Sequence, residues 1–124
     1  MSNKGARFIE HKGKQIYFVD YSNIKSNEEF LSIIKETNAF REKAKAEGKR
    51  NLLMLVDVSG SFVYGEVLDE LKKAGKFTKE LTAKEAVVGV TGAKKVLLLV
   101  VQTFTKMNIR VFNTVEEARD WLVS

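Results

Sequence analysis

Hydrophobic and polar residues follow two different periods along the chain, and these periods predict strands and helices in turn. Residues 6–22 are typical of two short strands joined by a polar turn at His11–Gly13, because β-forming residues flank a stretch that contains a glycine. Residues 26–48 repeat apolar side chains at helical spacing. Ser26 and Glu29 form a capping box at the start of this segment, which predicts a helix.

The second half of the chain continues this alternation of strands and helices. Residues 51–60 and 86–90 are apolar runs without alternation, which is typical of strands covered on both faces of a parallel sheet. Residues 109–113 predict a further parallel strand. The remaining segments are predicted as a helix over 67–74, a polar connector over 77–85, a helix over 92–107 and a closing helix over 114–124. Thr114 and Glu117 form a second capping box at the start of the closing helix.

The order of these elements indicates the fold class. Strands that alternate with helices imply crossover connections, so we expect an α/β fold with a mostly parallel sheet and helices around it. The opening hairpin adds one antiparallel edge, which makes the sheet mixed. The 124 residues favour a single domain that spans residues 1–124.

The segment 92–107 is the most apolar part of the chain and allows three interpretations. Its uncharged run, Val96–Thr105, is much shorter than the roughly 20 residues that a membrane span needs, so we expect no membrane insertion. The preceding turn matches neither the Walker loop nor the dinucleotide fingerprint. We therefore interpret the segment as a core helix. Its excess apolar surface leaves open whether the closing helix, a second subunit in a homodimer or a small apolar ligand covers it.

Composition and charge narrow the setting of the protein. The chain is 44% hydrophobic and 30% charged, which is typical of a globular domain, and its lack of cysteine favours a reducing, cytoplasmic compartment. We expect no signal peptide, because the first residues contain no apolar core. The net charge of +5 comes from dispersed lysines interleaved with acids, so we expect a solvated surface and no nucleic-acid binding.

Polar residues at the predicted strand ends form the candidate site. Asp57, Ser59 and Ser61 follow the central strand, and Thr91 follows the next one. Ligands gather at the carboxyl ends of strands in open α/β sheets, although turn capping explains the same residues without a ligand. Free backbone N–H groups at the start of helix 92–107 would favour an anion there. The full candidate edge is Asp57, Ser59, Ser61, Tyr64, Thr91, Gly92 and Lys94.

The sequence shows no catalytic constellation. His11 is the only histidine and lies in the predicted hairpin turn, where it would be badly placed to form a triad with Ser59 or Ser61. One histidine without cysteine is poor material for a metal site. We therefore expect a protein that is not an enzyme, with no cofactor and no metal.

Three segments carry a resemblance to a known family. These are the apolar strand that ends in aspartate, "NLLMLVDVSG", the strand, turn and apolar helix of "AVVGVTGAKKVLLLVVQTF", and the ending "IRVFNTVEEARDWL". The chain resembles the SpoIIAA-like group of the STAS superfamily, the sulphate transporter and anti-sigma-factor antagonist domains, from about Phe8 to Leu122. The resemblance implies a four- to five-stranded sheet with an N-terminal hairpin and about four helices.

The resemblance also implies a regulatory, protein-binding role rather than catalysis. Regulatory domains of this group carry an Asp-Ser-Ser-Gly turn in which a kinase phosphorylates a serine, but the corresponding place here holds Val63 to Glu66 without a serine. Ser59 and Ser61 lie a few residues earlier and are the possible phosphorylation sites. We expect a cytoplasmic module that acts through a protein partner. The alternative is a carrier or sensor of a small apolar ligand or lipid held beside helix 92–107, since lipid carriers share the broad fold.

Overall fold

The computed structural model describes residues 5–24, 26–61, 69–70, 81–90 and 109–124. These residues form a five-stranded sheet with helices on both faces. In chain order the elements are β1 (Gly5–His11), β2 (Lys14–Asp20), α1 (Asn27–Ala46), β3 (Leu52–Asp57), β4 (Thr82–Val88), β5 (Ile109–Phe112) and α2 (Val115–Leu122).

The sheet has the spatial order β1-β2-β3-β4-β5. β1 and β2 are antiparallel, whereas the three following pairs, from β2–β3 to β4–β5, are parallel. The predicted α/β class, the hairpin and the mixed, mostly parallel sheet are confirmed, and the sheet has five strands. The described residues contain two complete helices of the about four expected. Of the predicted helix over 67–74 only residues 69–70 are described, and they are helical, whereas the predicted helix over 92–107 lies outside the described residues.

Both described helices begin at the predicted caps. The Ser26 hydroxyl accepts a hydrogen bond from the backbone N–H of Glu29, at 3.3 Å, and so satisfies one of the free donors at the start of α1. The Thr114 hydroxyl does the same for Glu117 at the start of α2, at 3.2 Å.

The connector predicted over 77–85 is wrong at its end, because residues 82–85 belong to β4. Charged side chains hid this strand, since Lys84 and Glu85 interrupt the apolar pattern on which the prediction depended.

Successive side chains along each strand point to opposite faces of the sheet, so each face has its own hydrophobic core. On one face, α1 covers Tyr17, Val19 and Met54; we call this the α1 face. On the other, α2 covers the neighbouring positions Phe18 and Leu55; we call this the α2 face. The carboxyl ends of β2, β3 and β4 lie along one edge of the sheet between these two layers, and this edge holds the candidate site.

Candidate functional site

Two aspartates end neighbouring strands at the same level of the sheet. Asp20 is the last residue of β2, Asp57 is the last residue of β3, and the two are register partners in the parallel ladder. Asp57 is also the register partner of Val88, the last residue of β4. Three successive strands therefore end together, and the loops that follow them start side by side.

The loops after β2 and β3 repeat one short motif, V-D-x-S, over residues 19–22 and 56–59. Asp20 Oδ1 accepts a hydrogen bond from the backbone N–H of Ser22 at 2.8 Å. Asp57 Oδ1 accepts the equivalent bond from Ser59 at 2.9 Å. Each aspartate therefore builds an Asx turn, in which the side chain takes the place of a backbone acceptor.

Backbone hydrogen bonds join the two turns to each other beyond the strand ends. Tyr21 N–H donates to the carbonyl of Asp57 at 2.8 Å, and Asn23 N–H donates to the carbonyl of Ser59 at 2.7 Å. On the other side, Val58 N–H donates to the carbonyl of Val88 at 2.9 Å. The sheet ladder thus continues into the loops and fixes their relative position.

Close contacts between the loops require glycine at two positions. Gly60 has a φ of 69°, and a Cβ atom there would collide with the side-chain oxygen of Asn23. Gly89 has a φ of 85°, and a Cβ atom there would lie 2.6 Å from Ser59 Cα. Such a distance is well inside van der Waals contact, so a larger residue would force the loops apart. The resulting unit, the strand-end surface, consists of Asp20, Ser22, Asn23, Asp57, Ser59 and Gly60.

The predicted site residues divide into two groups. Asp57, Ser59 and Ser61 lie together in the loop after β3, as expected from their spacing. Ser61 is only 1% exposed, and its hydroxyl donates to the carbonyl of Val58 at 2.8 Å, so it acts within the turn. The other predicted residues, Tyr64, Thr91, Gly92 and Lys94, lie outside the described residues.

Sequence reasoning missed the half of the strand-end surface that β2 contributes. The predicted hairpin over residues 6–22 includes Asp20 and Ser22 only as its last residues, and Asn23 lies in no predicted element. The signal was present as the second copy of V-D-x-S. The two copies become neighbours only because β2 and β3 pair in register, which the sequence does not state.

A second polar cluster lies on the α1 face and includes Tyr21, which directly follows β2. Burial raises the pKa of Glu85, and the nearby Arg41 guanidinium opposes this shift. Burial also raises the pKa of Tyr21 to about 12, while Arg41 and a hydrogen bond with Thr37 act in the opposite direction. Arg41 and Glu85 are 5% and 8% exposed, so this cluster belongs to the core.

The single histidine is bound far from the strand-end surface. His11 Nε2 lies 2.8 Å from Asp120 Oδ1, and Lys12 Nζ lies 3.3 Å from the same oxygen. His11 precedes the first residue of β2, whereas Asp20 is the last residue of β2. The two residues therefore lie at opposite ends of the strands, about 20 Å apart. A triad of His11 with Ser59 or Ser61 is therefore excluded.

Within the described ranges, no three side chains of the histidine, cysteine, aspartate or glutamate type are grouped so as to hold a metal ion. Neither described helix has the length and apolar character that crossing a membrane requires.

Comparison with known proteins identifies the fold and a family profile. Residues 16–123 match the sequence profile of the SpoIIAA-like family. The crystal structure of an uncharacterised protein from Shewanella loihica, described as having a SpoIIAA-like fold, superposes with a TM-score of 0.70 at 15% identity and covers 98% of each chain. At this identity the likeness concerns the fold alone. No curated protein matches the chain.

Proposed function

The chain belongs to the SpoIIAA-like family, and from this premise we propose that it is a non-catalytic, cytoplasmic regulatory module that binds a protein partner through the strand-end surface. The proposal includes Tyr64, Thr91, Gly92 and Lys94, which follow the same strand ends in sequence and remain predictions. It requires no cofactor and no metal.

The observation that carries the proposal is the hydrogen bond from Asn23 N–H to the carbonyl of Ser59, at 2.7 Å. This bond joins two loops of the same type into one continuous surface whose tips, Asn23 and Gly60, are exposed. A surface that is already ordered loses little conformational entropy on binding, so more of the contact energy is available for affinity. Loops held by a rigid sheet are also the usual place for binding residues.

The chemistry of the surface supports a partner with basic side chains. Asp20 and Asp57 lie side by side on adjacent strands and bring two carboxylates to one edge. Complementary charge across an interface speeds association and selects among partners. A basic segment of a partner protein would therefore fit this edge better than an acidic one.

Replacement of both aspartates by asparagine tests the proposal without dismantling the turns. In Asp20→Asn/Asp57→Asn the side-chain oxygen still accepts from Ser22 and Ser59, whereas both charges are lost. We expect the affinity for partners captured by the wild-type chain to fall at least about tenfold, which corresponds to roughly 1.4 kcal/mol, with an unchanged fold.

Glu42→Gln/Glu47→Gln is the matched control, because both residues are exposed on or just after the last turns of α1. Quantitative mass spectrometry of captured proteins, followed by titration of each candidate, measures the effect. Partners that bind the aspartate variant as tightly as the control would rule out this surface.

Phosphorylation of Ser59 or Ser61 remains a prediction within this function. Ser59 is half-buried and Ser61 fully buried, so a kinase would have to open the loop to reach Ser61. Phosphopeptide mapping of protein purified from its native cells tests both positions. Modification at neither position would remove the phosphorylation step from the proposal.

The alternative function, a carrier of a small apolar ligand, depends on helix 92–107, which lies outside the described residues. It remains a prediction that native mass spectrometry of gently purified protein tests. A mass equal to that of the bare chain would count against it.

A further inference from the structure

The two terminal strands of the sheet differ in how well they are protected. β1 is seven residues long and pairs with β2 in an unbroken register, whereas β5 has only four residues. Natural edge strands are commonly shortened, bulged or interrupted by proline, because an open edge can pair with another chain. β5 is short, but β1 has neither a bulge in its register nor a proline.

The pairing of β2 shows which backbone groups of β1 point away from the sheet. Tyr21 N–H donates to the carbonyl of Asp57, so the odd-numbered residues of β2 direct their backbone groups toward β3. Its even-numbered residues therefore face β1, where they pair with Gly5, Arg7, Ile9 and His11. The remaining residues of β1, which are Ala6, Phe8 and Glu10, direct their N–H and C=O groups away from the sheet.

Phe8 lies in the middle of this outward edge and is unusually exposed for its size. The residue is 42% exposed, and the centroid of its ring lies 5.3 Å from the ring centroids of both Tyr17 and Phe40. Tyr17 and Phe40 stack on each other at 3.8 Å. The aromatic cluster of the α1 face thus reaches the edge of the sheet and ends there in a half-solvated ring.

We propose that β1 is a self-association edge, on which the β1 strand of a second copy of this chain pairs antiparallel about a two-fold axis at Phe8. In this register Phe8 lies opposite Phe8 of the second copy, and Ala6 lies opposite Glu10. All three outward-pointing residues of each strand are used, which gives about six hydrogen bonds between the copies. The two five-stranded sheets become one ten-stranded sheet with a continuous α1 face.

Other registers are less favourable for physical reasons. A shift by one residue would place side chains of opposite faces in register and misalign the outward backbone groups. A shift by two residues would retain about four hydrogen bonds and would remove the contact between the two Phe8 rings. The register centred on Phe8 therefore makes the most hydrogen bonds, and it is symmetric, as an isologous dimer interface requires.

The expected dimer is weak. Two short strands and one pair of rings bury less than the roughly 1,200 Å² typical of stable complexes. We therefore expect sedimentation to show the 14.0 kDa chain at about 10 µM and an average mass approaching twice that value at about 1 mM.

Phe8→Lys should abolish this association, because it places two like charges opposite each other at the centre of the interface. Val111→Lys is the matched control: Val111 is 41% exposed and lies on β5, the opposite terminal strand. The control should associate like the wild type. A wild-type chain that remains monomeric at about 1 mM, or a dimer that survives Phe8→Lys, would overturn the proposal.

A disulfide test depends only on geometry and needs no strong dimer. Opposed residues of a hydrogen-bonded antiparallel pair have Cα atoms about 5.5 Å apart, a distance that a disulfide spans. The chain has no cysteine, so Phe8→Cys introduces a single thiol. Mild oxidation should convert this variant to a covalent dimer at least about tenfold faster than Val111→Cys. Equal rates for the two variants would contradict the proposed register.

Discussion

The two faces of the sheet are built from different kinds of side chain. The α2 face contains apolar residues such as Leu55, Ala118 and Leu122. The α1 face combines an apolar cluster around Phe30 with buried polar groups, among them Arg41 and Glu85. Both faces belong to the same five strands, so the difference lies in what each helix brings to the sheet.

The α1 face buries two whole charged residues, Arg41 and Glu85, whereas on the α2 side only the Nε of the half-buried Arg119 is buried without a partner among the described residues. The Arg41 guanidinium donates to Asn38 Oδ1 at 3.0 Å and approaches Met54 Sδ at 3.9 Å, and its Nε is buried without a partner among the described residues. Buried charge is stabilising only when nearby groups compensate its lost hydration. We therefore expect the buried core of the α1 face to depend more strongly on pH than the buried core of the α2 face.

The largest effects should come from the apolar core of either face. Phe30 is 1% exposed and stacks on Tyr21 at 4.3 Å, so Phe30→Ala should lower the free energy of unfolding by about 3–5 kcal/mol. Leu122 is also 1% exposed, and Leu122→Ala should cost about 2–5 kcal/mol. Urea denaturation at pH 7 measures both losses. Val111→Ala on the exposed surface is the control, and a loss no larger than this control would refute the packing of that face.

The polar cluster should give an intermediate effect that depends on pH. Arg41→Met removes the charge that lowers the pKa of Glu85, so that pKa rises further in the folded state. A raised folded pKa leaves stability intact below the unfolded value, 4.5, and lowers stability as pH rises through the folded value. We expect Arg41→Met to cost about 2–4 kcal/mol at pH 7 and clearly less near pH 4.5.

Two further variants isolate the cause of this pH dependence. Lys43→Met removes an exposed cation from the same helix and should cost little at either pH. In a Glu85→Gln background, the pH dependence of the Arg41→Met loss should disappear, because position 85 no longer titrates. A loss that is equal at both pH values in the wild-type background would show that Arg41 acts through packing alone.

The smallest effect should come from the exposed contact between the hairpin turn and α2. Hydrogen bonds from His11 and Lys12 lower the pKa of Asp120 below its ordinary value of 3.8. A lowered folded pKa adds stability above the unfolded value, and this stability is lost as pH falls through the folded value. Asp120→Asn should therefore lower the melting temperature at pH 7 by less than half the shift caused by Arg41→Met.

Salt and acid should both reduce this last effect. The contact is exposed, so about 1 M salt should screen it. Below pH 3.8 the difference between Asp120→Asn and the wild type should shrink. Calorimetric scans across pH and salt measure it. A difference that grows in acid would mean that the hydrogen bonds do not stabilise the ionised carboxylate.

Local sequence signals predicted the elements well where each signal was complete within a short segment. The caps of α1 and α2 were correct because Ser26 and Thr114 bond to a backbone group only three residues away. The hairpin was correct for the same reason. β4 was placed too late because Glu85 is charged, and nothing nearby in sequence shows that it is buried beside Arg41.

The candidate site was predicted only in part. Asp57 and Ser59 could be found from their position after an apolar strand, whereas Asp20 required the knowledge that β2 and β3 are neighbours in register. The repeated V-D-x-S motif was visible, but a repeated tetrapeptide has no functional meaning until the two copies are placed side by side.

The sequence by itself determined the order of the described elements, the α/β class and the family resemblance, because periodicity and capping act over a few residues. Only the tertiary structure decided which groups come together. Asp20 and Asp57 lie side by side at the carboxyl ends of their strands, His11 pairs with Asp120 at the opposite end of the sheet, and Arg41 lies close enough to Glu85 to influence its charge. The physical reason is that strand pairing and helix packing join residues far apart in the chain. Their burial and charge then depend on neighbours that no local pattern records.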